Sequence, residues 1–302
     1  MNRLIVALAT GLALCACGDG NPFDEADPED PDTGTTSEIP ADIAGDVDSI
    51  TYDAANQTLI VRGQSIDDTP YAATYTRKPG LDRGGYEAYT AQEGSLGRHH
   101  TAYVKEIDGA QAFVVMAGGQ FNEVFSGATY SRSGSYSAPD VSQPGGIVHY
   151  AGNYVGLVNG PGDGGDLNPV AAGTDPAVLP RQAAEVTGDV FITADFADNV
   201  TDGVIYNRAI PDYADGDLKD VTLSNTAINS DGTFTGSATI DSTTEVGTYG
   251  GNFAGQGATA VAGAVFLSDH IDGVDNEIEQ GIFVLGQCGT ANDAAVCDQP
   301  LP

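Results

Sequence analysis

The side chains whose types and spacing could do chemistry are cysteines, a histidine pair and clustered carboxylates. Cys17 ends the segment Leu14-Cys15-Ala16-Cys17, directly behind an apolar run from Leu4 to Leu14 that follows Arg3. A positive start, a short apolar stretch and small residues form the pattern of a removed export signal. The run is shorter than the ~20 apolar residues that cross a bilayer. The four residues also match a bacterial lipobox, whose final cysteine is acylated as the signal is cut. Cys17 is therefore the expected lipidation site and first mature residue, held by palmitate-type chains at ~0.8 kcal/mol per buried methylene. Asp19 lies two residues past Cys17. The usual inner-membrane retention signal is thus absent, and the expected address is the outer membrane of a Gram-negative cell, at its surface. With Cys15 lost and Cys17 acylated, Cys288 and Cys297 remain, and in an exported chain they are expected to close a small disulfide loop.

Arg98-His99-His100, followed by Tyr103, forms the only histidine cluster. His99, His100 and Tyr103 are candidates for iron, haem or other ligand contact. Neighbours on a strand point to opposite faces, so the two imidazoles share a ligand only if they lie in a loop, and a solvated loop is the expectation. His149 and His270 stand alone, without ligand spacing. Asp269, Asp272, Asp275 and Glu277 gather oxygen ligands of the kind calcium prefers, yet do not fit an EF-hand loop. A plain acidic hairpin connection is the competing reading. Asp163 to Asp166, within Asn-Gly-Pro-Gly-Asp-Gly-Gly-Asp, lacks the lysine and helix start of a phosphate cradle and reads as a flexible loop.

The chain has 302 residues, with 11 Lys or Arg against 43 Asp or Glu, a formal charge of -32. Such a charge excludes the basic face of a nucleic-acid binder and a polybasic lipid-docking patch. The acids are scattered, as on a heavily hydrated surface. Catalysis has little support. No Gly-x-Ser-x-Gly elbow occurs, carboxylate pairs are too numerous to discriminate, and no cofactor motif appears.

These side chains need a scaffold, and the expected scaffold is all-β. Residues 1-16 form the signal and 17-45 an acidic tether, rich in proline and acid and poor in core formers, which reaches about 30 Å as a flexible coil. Beyond it, turn signals recur about every 8 to 12 residues between segments of alternating polarity. Residues 46-138 hold strand candidates at 47-53, 58-63, 71-77, 85-93, 100-107, 111-117 and 123-132. Residues 139-288 hold eight more, at 146-158, 186-196, 203-209, 218-228, 233-241, 246-254, 260-267 and 281-287. Eight antiparallel strands suffice to close a small barrel. Residues 289-302 form a tail closed by the disulfide. Asp108-Gly109 signals a tight hairpin turn, and the long connection 159-180 is where binding is expected. Gly281-Ile282-Phe283-Val284-Leu285 is apolar on both faces, so it is expected to lie between the barrel interior and the upstream sheet.

The stretches Tyr150-Ala151-Gly152-Asn153-Tyr154-Val155-Gly156, Thr193-Ala194-Asp195-Phe196 with Gly203-Val204-Ile205, and Gly247 to Phe266 occur in this order. In that order they resemble the barrel domain of transferrin-binding-protein-B-like surface lipoproteins. The upstream segment ending at Ala128-Thr129-Tyr130-Ser131-Arg132 looks like the smaller handle domain of that family. The resemblance implies a non-enzymatic, lipid-anchored surface protein that captures an extracellular partner such as an iron carrier or haem protein. Two departures limit it. The transferrin receptors have two handle-barrel lobes where this chain has room for one, and their long cap loops have no clear counterpart. No ligand-binding residue carries over by motif. A structural or adhesive surface protein, or an enzyme acting on surface polysaccharide, are the other classes the composition allows.

Overall fold

The computed structural model describes residues 39–65, 69–121, 123–141, 146–213, 216–241 and 243–300. The expected signal, Cys17 and the tether up to residue 38 lie outside them. Residues 41–44, placed in the tether by composition, instead form one helical turn, α1 (Ala41–Ala44), whose Ile43 is fully buried. Ile39 and Ile43, the two isoleucines of this acidic stretch, are too few to show a period, yet both pack on the core and anchor the entry to the first strand.

Seven strands follow as an antiparallel meander, each paired with the next: β1 (Val47–Asp53), β2 (Thr58–Gln64), β3 (Pro70–Arg77), β4 (Glu87–Gln92), β5 (His99–Ile107), β6 (Ala110–Ala117) and β7 (Ser126–Arg132). The sheet curls until its ends approach, with Asp46 N donating to Ser126 O at 2.8 Å. Between β5 and β6 the turn residues Asp108 and Gly109 both have positive φ, 48° and 78°. That is the geometry whose twist suits a two-residue hairpin, and glycine tolerates it without a Cβ clash.

The remaining strands are β8 (Ile147–Pro161), β9 (Ala183–Asp195), β10 (Val200–Ala209), β11 (Val221–Ala227), β12 (Thr233–Ile240), β13 (Thr244–Ala254), β14 (Ala260–Ser268) and β15 (Ile278–Gln287), and they close into an antiparallel barrel with β15 against β8. The fold is all-β, a handle-like sheet followed by a closed eight-stranded barrel. β8 and β9 run further than alternation implies, pairing out to Pro161 and Ala183 across an irregularity after Val158. Proline is tolerated there because it ends the strand. The barrel interior is filled by inward residues such as Tyr150, Ile192, Phe234, Phe253 and Phe283.

The segment 281–285 is covered on both sides. Phe283 and Leu285 face the barrel interior, whereas Ile282 and Val284 pack on Tyr86, Tyr103, Val114 and Met116 of the handle-like sheet. Each such side chain contributes about 1.5–3 kcal/mol when fully buried. Alanines 260, 262 and 264 on β14 and 110, 112 and 128 on the sheet sit in this same contact. Tyr86 completes the junction. Its hydroxyl donates to Asn153 O at 2.8 Å and accepts from Val284 N at 2.9 Å. These groups lie where the β15–β8 pairing is interrupted, between Phe283↔Tyr154 and Gly286↔Ala151. The hydroxyl fills that missing rung.

After β15 the chain turns back, and Cys288 is bonded to Cys297 with Cα atoms 5.5 Å apart. Val296 and both cysteines pack on Ala151 and Tyr206, against the barrel's outer wall. A loop of this size is worth about 2–3 kcal/mol in the chain-entropy account.

Candidate functional site

The barrel's two ends are built differently. Connections 196–199, 228–232 and 255–259 close one end tightly. At the other emerge the segments 162–182, 210–220, 241–243 and 269–277. Between three of these segments lies a cavity of about 600 Å³. Its polar wall carries Lys219, Asp217, Asp272, Asp275, His270 and Glu277.

Below this mouth, the interior holds a buried ionic network. Glu279, fully buried on β15, accepts from Arg208 Nη2 at 2.7 Å and from the Tyr154 hydroxyl at 2.5 Å. His270 Nε2 stands 3.1 Å from the same carboxylate. Burial alone raises a carboxyl, but the Arg208 guanidinium, aided by His270 and Tyr154, holds Glu279 down at about 2. Arg208 Nη1 also donates to Lys219 O at 2.7 Å, tying the network to the mouth. Room for Tyr154 comes from Gly281, where any Cβ would overlap its hydroxyl. A carboxylate so far below neutral is a poor general acid or base. The network holds shape and charge.

The segment 162–182 leaves the barrel and straps onto the handle-like sheet. Asp166 Oδ2 accepts from Thr90 Oγ1 at 2.7 Å and faces His99 Nε2 at 2.9 Å, while its Oδ1 pairs with Lys78 at 2.9 Å. Burial opposes the charge, but these three partners hold the Asp166 carboxyl below its ordinary range. Farther along, Gln120 Nε2 donates to Val178 O and Leu96 O, and Asn168 N donates to Gln92 Oε1. The mouth of the barrel and the loop tips of the sheet therefore form one crest. Of the seven large apolar residues exposed among the described residues, five lie on it: Leu96, Phe121, Val170, Tyr213 and Val274. Phe121 is 63% exposed.

Several expected site residues sit elsewhere than their sequence context implies. His99 and His100 are not in a solvated loop; both are buried on β5. They do point to opposite faces. His99 meets Asp166, and His100 packs among Tyr71, Tyr75 and Phe125, with ring centroids 5.2, 6.0 and 5.6 Å away. Burial, with His99 and Arg98 nearby, pushes His100 down to about 4. Tyr103 donates to Leu81 O at 3.1 Å, away from either imidazole. These three residues form no common site. Asp163 to Asp166 is not a free loop, since Asp166 is the strap's anchor. Of the calcium candidates, Glu277 turns inward and accepts from His270 N and Ile271 N, Asp269 accepts from Asn276 N, and Asp272 pairs with Lys219 at 3.4 Å. Among the described residues no group of three or more His, Cys, Asp or Glu is placed to hold a metal ion.

Sequence reasoning left His270 isolated and did not single out Arg208 or Glu279. Glu279 carried a readable signal, sharing inward parity with Phe283 and Leu285. Arg208 did not. Asn207 takes a positive φ of 51° and the β9–β10 pairing slips between Tyr206 and Ala209, which turns Arg208 inward against the alternation.

No protein-family model matches this chain, and no curated protein matches it. Solved structures do show likeness. A transferrin binding protein B double mutant from Haemophilus parasuis aligns at TM-score 0.39 and 11% identity over 78% of this chain and 52% of that one. A structure described as a surface lipoprotein aligns at TM-score 0.37 and 15% identity, covering 80% of this chain and 97% of that one. Transferrin binding protein B from Neisseria meningitidis aligns at TM-score 0.36 and 14% identity, again over 52% of its length. The chain spans about half the length of the two transferrin binding proteins. The sheet-and-barrel architecture rests on this chain's own strand pairing.

Proposed function

We propose that this chain is a lipid-anchored outer-membrane surface protein that captures an extracellular protein partner on the crest, without catalysing a reaction. The observation that carries this reading is the asymmetry of the two barrel ends. The long segments, the cavity and five of the seven exposed large apolar residues lie together at one end, which is continuous with the sheet's loop tips. Apolar residues grouped on a surface mark interaction sites, and loops on a rigid β scaffold are where binding groups are carried. Lipidation at Cys17 and the acidic tether would hold this crest clear of the membrane. The family resemblance makes an iron carrier or haem protein the first class of partner to try.

The test immobilises the mature lipoprotein and probes it with iron-loaded carrier proteins and haem proteins. Retention that is lost in Phe121→Asp, with the melting temperature preserved, supports capture on the crest. Retention indifferent to that change, while Ile147→Asp at the other end abolishes it, places binding at the wrong end for this reading. A Cys17→Ser chain should accumulate as an unprocessed precursor without lipid label; normal labelling would remove the anchor from the proposal.

A further inference from the structure

The cavity wall carries four carboxylates, Asp217, Asp272, Asp275 and Glu277, against two cationic side chains, Lys219 and Arg181. Lys219 is already shared between Asp241 and Asp272, at 3.2 and 3.4 Å. More telling are two atoms at the base of the cavity. His270 Nδ1 and Glu277 Oε2 are buried and have no hydrogen-bond partner, in side chains only 1% and 2% exposed. A buried polar atom left unpaired costs about 1–3 kcal/mol, so two side by side, in residues lining one cavity, point to a missing partner.

The network below determines what chemistry that partner must have. Glu279 is held ionised, so the imidazole nitrogen 3.1 Å away serves it as a donor, and Nε2 carries the hydrogen. Arg208 Nη2, at 3.2 Å from that nitrogen, is also a donor and gives its hydrogen bond to Glu279 instead. His270 Nδ1 stands 3.3 Å from Glu277 Oε1, without hydrogen-bond geometry. Glu277 Oε2 is an acceptor in either protonation state of the imidazole and is left without a donor. What satisfies it is a donor carrying positive charge. A metal ion would ask for a third ligand, and no such group stands among the described residues. An anion would meet the excess of carboxylates. The apolar wall, with Ile210, Leu218, Ile271 and Val274, suits a hydrocarbon stem behind the charged head. The overall charge of -32 draws cations toward the protein from a distance.

We infer that this cavity takes a cationic nitrogen on an aliphatic stem, an alkylammonium or guanidinium group, with the unpartnered Glu277 carboxylate oxygen as its principal acceptor. The inference rests on the reading of this end as the binding end and names the chemistry of one subsite within it. The group can belong to a lysine or arginine side chain of a protein partner or to a free amine, and one experiment separates the two. The mature lipoprotein in detergent is titrated calorimetrically with blocked hexalysine peptide, cadaverine, 1,5-pentanediol and calcium chloride. Binding of the peptide alone assigns the nitrogen to a polypeptide; comparable binding of cadaverine assigns it to a free amine. In either case Glu277→Gln, which keeps a carbonyl for the His270 and Ile271 amides, should weaken binding about tenfold or more, as expected for hydrogen bonds to charged groups. Should that variant melt early, Asp217→Asn with Asp275→Asn on the cavity wall serves instead, with a roughly threefold loss by weakened attraction. Equal binding of the diol, binding of calcium in place of the amines, or no binding by either amine overturns the inference. Amine binding that fails while Phe121-dependent protein capture persists sinks the subsite alone. Loss of capture at the crest sinks the reading beneath it.

Discussion

The handle-like sheet and the barrel both enclose polar side chains, and they keep them there by opposite means. In the sheet, His100 lies among Tyr71, Tyr75 and Phe125, with no carboxylate partner, and burial holds it uncharged down to about 4. In the barrel, Arg208 and Glu279 are both fully buried and both charged, and each is the reason the other is tolerated. A neutral guest in an aromatic cage costs little until a proton arrives. A buried ion pair costs much to desolvate but resists titration. The two halves should therefore respond differently to mutation and to acid.

The largest effect is expected from separating the barrel pair. Arg208→Met leaves Glu279 charged and uncompensated in the interior, which should cost about 3–5 kcal/mol. Urea unfolding at neutral pH measures it, with His100→Phe as the comparison in the sheet, where a somewhat larger uncharged ring is expected to cost about 1–3 kcal/mol by overpacking. An Arg208→Met loss below about 1 kcal/mol would show that the pair does not hold the barrel.

Acid should act on the sheet first. His100 has a folded pKa near 4 against an ordinary value of 6.5, so between those values the unfolded chain binds the extra proton. Stability is complete above 6.5 and falls as pH drops toward 4, by on the order of 3 kcal/mol in total. Glu279 has a folded value near 2 against 4.5, so its contribution is complete above 4.5 and is lost only as pH falls toward 2. Chemical denaturation followed across pH should show two successive losses. His100→Phe should flatten the upper one and leave the lower untouched. An unchanged upper slope would move its origin away from the aromatic cage.

The smallest effect concerns the boundary. Tyr86→Phe keeps the ring between the two halves but leaves Asn153 O and Val284 N without their shared hydroxyl. The expected loss is about 1–3 kcal/mol, the cost of an unpaired buried backbone group. Faster hydrogen exchange at the Val284 amide would place that loss at the seam, whereas exchange unchanged there would show that the backbone groups had found each other.

The strands were largely legible from alternation and turn chemistry, because both reflect local backbone geometry. Asp108-Gly109 named its own turn, and the two-faced apolar run at 281–285 disclosed that something covers the barrel from outside. What alternation could not reveal was parity after an irregularity. Arg208 points inward only because Asn207 shifts the register. Nor could local context place His99, whose Asp166 partner is 67 positions away, or His270, whose Arg208 contact is 62 positions away. His270 looked isolated and His99 looked like part of a loop cluster because their partners arrive through tertiary closure. The glycines and acids around Asp166 suggested freedom for the same reason, since nothing nearby in sequence shows what ties that loop down.

The hydroxyl of Tyr86 also bears on the order of assembly. β8 and β15 are the first and last strands of the barrel, and the seam between them joins its most distant stretches of chain, the kind of contact that forms slowly. One rung of that seam is contributed by residue 86, which is synthesised before any barrel strand. Because chains emerge amino end first and domains tend to fold as units in that order, the earlier sheet can serve as a template on which the later one closes. A circular permutant that places the barrel ahead of the sheet would bring the seam together before its missing rung exists. Such a chain should linger in an open, edge-exposed intermediate that the natural order avoids.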